Sequence, residues 1–168
     1  MTEERVNDLL DHYRENKARL THLRREASEL RDAIEREKRA AIETDSMHAQ
    51  QYSGMPHTGA INRAVEDTAL RYADGYASPM LRDWMRDLDS MERELRVLEN
   101  AVGFVDGWME DLDEREQIVM RHHKPIGLMS WREMAADSKR LIGEYMSQSG
   151  LRNIGDAAKR KIYAIACR

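Results

Sequence analysis

From Glu3 to about Ala41 the apolar positions recur every seven residues. Val6, Tyr13, Leu20, Ala27, Ile34 and Ala41 form one row, and Leu9, Leu23 and Leu30 form a second. Asn16 and Glu37 occupy second-row positions where a coiled-coil seam prefers leucine. A run of this length with no helix breaker predicts one helix of about 40 residues, about 60 Å long at 1.5 Å per residue. Its stripe needs a partner helix, from the same chain or from another copy. Asn16 reads equally well as a register-setting polar residue or as a solvent-facing side chain at the edge of the seam.

The pattern breaks over residues 44–77. Ser46 to Gly59 (SMHAQQYSGMPHTG) has loop chemistry, with Pro56 and two glycines. A short helix is expected after it, with Ile61, Val65, Ala69 and Tyr72 on one side. Ser78-Pro79 has the form of an N-cap followed by proline in the first helical position. A second heptad run starts there: Leu81, Leu88, Leu95 and Val102 interleave with Trp84, Met91, Leu98 and Val105. Two such helices suit an antiparallel hairpin or separate coiled coils.

Beyond Gly107 the signals are short and closely spaced. Asp113 with Glu116 opens a capped helix that continues through Ile118, Val119 and His122 and ends at Lys124-Pro125-Ile126-Gly127. Ser130 with Glu133 is a capping box, with Trp131, Met134 and Ala135 on the buried face. A last helix is expected from near Ser149 or Leu151, with Leu151, Ile154, Ala158, Ile162 and Ile165 as its apolar stripe. The fold class is therefore all-α. Four segments follow along the chain: a heptad helix over 1–45, a linker with a short helix over 46–77, a second heptad helix over 78–108, and a compact helical module over 109–168.

Charge sharpens this picture. The net charge of −4 over 168 residues conceals a polarity. Residues 80–116 carry 5 Lys/Arg against 12 Asp/Glu, whereas residues 121–168 carry 10 against 4. Residues 1–45 hold 10 basic and 12 acidic side chains, interspersed as on a solvated helix surface. An acidic middle and a basic end point to an anionic partner for the C-terminal module. Three short helices, the last of them basic, make a helix-turn-helix candidate, in which an apolar tripod holds one helix against the major groove of DNA. Such a helix must offer Arg, Lys, Asn or Gln to phosphates and base edges.

Other chemistry is not indicated. Single Cys167 builds no disulfide or zinc framework. The adjacent His122 and His123 point in different directions on a helix and make a poor metal pair, so neither metal nor cofactor is expected. The acidic run EDLDERE is accounted for as a helix start, and no phosphate loop, dinucleotide turn or nucleophile elbow occurs. An enzyme is not expected. Trp131, Trp84 and Met91 are expected to be core or seam residues. The opening MTEERVNDLL lacks the layout of a signal peptide, and no window approaches the ~20 apolar residues of a membrane span. A cytoplasmic location is expected.

LDEREQIVMRHHKPIGLMSWREMA resembles region 4 of the sigma-70 factors. A closer similarity is to phage-encoded regulators of the ArpU and RinA type, which place such a module behind helical segments. YSGMPHTGAINRAVEDTALRY resembles the Met-Pro-containing linker and short helix upstream in those proteins. The resemblance covers roughly residues 50–168, and LDERE with SWREMA is its most specific part. It implies a sequence-specific DNA-binding transcriptional regulator in the cytoplasm of a phage's host. Double-stranded DNA is then the partner, host RNA polymerase is a candidate protein contact, and a homo-oligomer is expected, a dimer before larger assemblies. Arg152, Asn153, Lys159, Arg160 and Lys161 are the expected DNA contacts, with Arg132 and Lys139 on phosphate. The chain departs from the family at DSKRLIGEYMSQSG, which is long for a tight turn. Either the second helix is longer or the turn is elaborated. Gly155 in the last helix costs about 1 kcal/mol against alanine. Two alternatives stand beside this reading: a DNA-packaging subunit like a small terminase, and a helical scaffold without DNA affinity.

Overall fold

The computed structural model describes residues 1–51 and 78–167, with side chains described for 1–40 and 78–167. The chain is all-helical, and no strand occurs among the described residues. Helices run over Glu3–Gln51 (α1), Pro79–Glu110 (α2), Glu114–His122 (α3), Trp131–Ile142 (α4) and Gln148–Ala166 (α5). The short helix expected around Ile61–Tyr72 lies outside the described residues. No helix among the described residues is long and apolar enough to cross a membrane.

Two compact units divide the chain: Met1–His22 with Leu95–Arg168, and Leu23–Glu94. Helices α1 and α2 each contribute to both. In the second unit Leu30 and Ile34 of α1 pack against Leu81, Trp84 and Leu88 of α2. Arg31 pairs with Glu92 at 2.7 Å, so numbers rise along α1 as they fall along α2 and the pairing is antiparallel. In the first unit Val6, Leu9 and Leu10 share a core with Val105, Trp108 and Met109. The Tyr13 hydroxyl donates to Asp106 at 2.5 Å, and Lys17 Nζ donates to the same hydroxyl at 2.8 Å. In both units the partner of the heptad stripe is thus supplied by the same chain. Every described residue of the two predicted rows is buried or half-buried, Asn16 and Glu37 included.

The first unit's core extends past the two long helices. Met120 of α3, Ile126 and α5's Ala158 and Ile162 complete it, and the Tyr163 hydroxyl donates to Asn7 Oδ1 at 2.6 Å. Leu10 lies on neither heptad row yet is 2% exposed, because this second set of neighbours covers it. The four consecutive segments read along the chain therefore differ from the compact units, which join its start to its end. Helix boundaries differ as well. α1 continues through Ser46 to Gln51, since its residues there include the good helix formers Met, Ala and Gln and no breaker precedes Gly54. α5 begins at Gln148, capped by Ser147.

Candidate nucleic-acid interface

Each of α3, α4 and α5 packs on the other two. Val119, Met134 and Leu151, one from each helix, are fully buried together. Removing side chains of this size from water stabilises by roughly 2 kcal/mol apiece. The capping box predicted at Ser130 forms, and the capped start expected at Asp113 is a capping box as well. The Asp113 carboxylate accepts from the Glu116 backbone N–H at 2.9 Å and Glu116 accepts from the Asp113 N–H at 3.1 Å. Ser130 and Glu133 repeat the arrangement at the start of α4. These backbone hydrogen bonds hold the carboxyls of Asp113 and Glu133 below the usual carboxylate range, with Lys161 adding to the effect at Asp113.

The link from α3 to α4 folds back on itself. Met129 N–H donates to the His122 carbonyl at 2.9 Å and Gly127 N–H to the His123 carbonyl at 2.7 Å. A Cβ on Gly127 would collide with the His122 carbonyl, so the backbone approach there admits glycine alone. The His123 ring stacks on Trp131 with centroids 3.5 Å apart. The edge of the same indole lies against Gly155 of α5, where a Cβ would stand 2.6 Å from Trp131 Cη2. The glycine that looks like a defect in α5 is the seat of the tryptophan that opens α4.

The long connection DSKRLIGEYMSQSG resolves into a longer α4 and a compact turn. α4 runs to Ile142 and is ended by Gly143, whose φ of 88° favours glycine. Five residues, 143–147, then lead to α5. Ser138 is fully buried. Its hydroxyl donates to the Ala135 carbonyl at 2.9 Å and accepts from the Met146 N–H at 3.0 Å, which ties the turn to α4. Ser147 Oγ accepts from Gly150 N–H at 3.2 Å and caps α5.

α5 buries Leu151, Gly155, Ala158 and Ile162 on one side. Arg152 and Lys159 make one row on the remaining surface, and Asn153 and Arg160 make the next. Within each row the members are seven residues apart, about 10.5 Å along the axis. Arg152, Asn153 and Arg160 are exposed and Lys159 half-exposed, with Asp156 the one acid of the helix. Burial lowers the His123 pKa, and the positive fields of Lys159, Arg152 and Lys124 lower it further. All three cations thus lie within electrostatic range of the His123 ring. Arg132 and Lys139, again seven apart, are exposed on α4, and Lys139 Nζ lies 5.2 Å above the ring of Tyr145.

Lys161 differs from its neighbours. Its ammonium donates to Glu116 at 2.7 Å and to Asp113 at 3.4 Å, and Glu116 is only 4% exposed. The hydrogen bond to Glu116 raises the Lys161 pKa above the usual lysine value. This lysine braces α5 against the start of α3, and its side chain stays 50% exposed. Lys124 and Tyr145 join the candidates. Both sit in irregular segments, where periodicity gives no signal; an aromatic residue 80% exposed within a glycine-started turn is the only cue to Tyr145. Among the described residues no three His, Cys, Asp or Glu stand close enough to hold a metal ion. No family model, curated protein or solved structure matches the chain.

Proposed function

We propose that this chain is a sequence-specific DNA-binding transcriptional regulator, in which α4, the five-residue turn and α5 act as a helix-turn-helix. One observation carries the reading: α5 is held on one side by a fully buried apolar row while Arg152 with Lys159 and Asn153 with Arg160 line its other side. The major groove, about 12 Å wide, admits one helix presented in this way. Arginine pairs bidentately with guanine and asparagine with adenine, so Arg152 and Asn153, in the first turns of α5, are the base-reading pair. Lys159, Arg160, Lys124, Arg132 and Lys139 are suited to phosphates, which fix position without carrying sequence. The likeness of LDERE and SWREMA to phage regulators of the ArpU and RinA type supports transcription over packaging, with RNA polymerase as a further candidate partner.

Salt dependence of binding to a duplex tests the assignment. Replacing both Lys159 and Arg160 by alanine lowers the log–log salt slope by about 1.8, since each phosphate that a cation neutralises adds about 0.9 to it. Arg152→Ala removes roughly tenfold to a hundredfold of discrimination at one base pair. Lys161→Met lowers the thermal midpoint and leaves the slope unchanged, because that charge is spent on Glu116. An unaltered slope in the Lys159, Arg160 double variant contradicts the assignment. An assembly of eight or more copies points to packaging instead, and absence of any DNA affinity points to a scaffold.

A further inference from the structure

A cavity of about 460 Å³ in the first unit is lined by α1, α2, α3 and the link that follows α3. Its size falls in the range of roughly 300–1,000 Å³ that suits a small molecule. The floor is apolar: Met109 is 4% exposed and Ile126 8%. Charged side chains stand around it, Lys17 of α1, Asp106 and Glu110 of α2 and Arg121 of α3. Lys17 and Asp106 are already engaged with each other through the Tyr13 hydroxyl. Glu110 and Arg121 are not so engaged. Neither side chain has a hydrogen-bond or ion-pair partner among the described residues, although the two carry opposite charges and border one cavity.

Both unpaired groups sit at helix ends. Glu110 is the last residue of α2, whose last turn holds no basic side chain. The C-terminal end of a helix carries partial negative charge, so an acid there adds to it and a cation would relieve it. Arg121 lies in the last turn of α3, and its field reaches Lys17 and opposes the charge there. The cavity therefore has a positive side, Arg121 with Lys17, and a negative side, Glu110 with the end of α2. An ion of one sign satisfies only one of them, whereas a zwitterion satisfies both. We propose that this cavity binds a free α-amino acid with an apolar side chain. Arg121 takes the carboxylate, in the bidentate pairing that a guanidinium offers. Lys17 assists with N–H groups beyond the one given to Tyr13. Glu110 and the end of α2 take the ammonium. The ligand's hydrocarbon lies on Ile126 and on Met109, whose flexible thioether adapts to its shape. The inference is independent of the DNA reading.

Isothermal titration calorimetry of the full chain with leucine, methionine and phenylalanine, carried into the millimolar range, tests it. At least one of the three is expected to bind saturably, with one molecule per chain. The matching acid without the ammonium and the matching amine without the carboxylate (isocaproate and isoamylamine for leucine) each lose one charge-assisted pairing. Both are expected to bind at least about tenfold more weakly than their parent amino acid. Glu110→Gln and Arg121→Gln each weaken binding by about tenfold or more. Both side chains are exposed, so the thermal midpoint of either variant without ligand changes little. The proposal is overturned if none of the three amino acids binds, if the acid or the amine binds as well as its parent, or if either variant keeps the wild-type affinity.

Discussion

His123 is held between the indole of Trp131 and the Met129 carbonyl, to which its Nδ1–H donates at 3.1 Å. Burial disfavours its charged form, and the neighbouring Lys159, Arg152 and Lys124 reinforce that effect against the opposing pull of the carbonyl. The native pKa therefore lies below that of the unfolded chain, near 6.5. As pH falls below about 6.5 the unfolded state takes up a proton that native His123 resists, and stability is lost as the pH drops toward the native pKa. His12, whose pKa is raised chiefly by the Asp8 carbonyl, works in the opposite direction, so the contribution of His123 is read as a difference between variants. Urea midpoints at pH 7.5 and 5.5 are expected to fall more in the wild type than in His123→Phe, which keeps a ring on Trp131 without a titrating proton. Equal falls in the two chains would contradict this role for the ring.

At the scale of elements, short-range devices are legible in the sequence and long-range ones are not. Asp113 with Glu116 and Ser130 with Glu133 satisfy helix-start N–H groups only three residues away, so the sequence shows them directly. The heptad rows are legible for a similar reason, since one period recurs along each helix. Gly155 shows the limit. Propensity alone predicts that alanine there stabilises α5 by up to about 1 kcal/mol. The indole that occupies the space lies 24 residues earlier in the chain, and nothing local announces it. Because a Cβ 2.6 Å from Trp131 Cη2 forces the ring off its seat, Gly155→Ala is expected to destabilise by about 1–3 kcal/mol net. Denaturant unfolding of the variant checks this, and a gain in stability would mean that the indole does not set the spacing of α4 and α5. Lys161 is obscured for the same reason. Its bond to Glu116, 45 residues away, has no local sign either.

On the scale of the molecule, the compact unit that carries the basic helix also contains the start of α1 and the end of α2. Heptad spacing shows that α1 and α2 need partners, but leaves their source open. It gives no hint that Leu10 and Trp108 are buried in a core completed by α3 and α5. The functional consequence is rigidity: α5 is anchored by Ala158 and Ile162 to that core and by Leu151 to α3 and α4. A helix fixed at so many points suits the reading of a groove whose base edges reward small positional errors poorly. Recognition by α5 is tested most directly by selection from a pool of random-sequence duplexes at about 0.15 M salt, where long-range attraction is already screened, followed by sequencing of the bound fraction. One enriched motif is expected, lost on Arg152→Ala. Binding without enrichment, or none at all, would contradict sequence-specific recognition by α5.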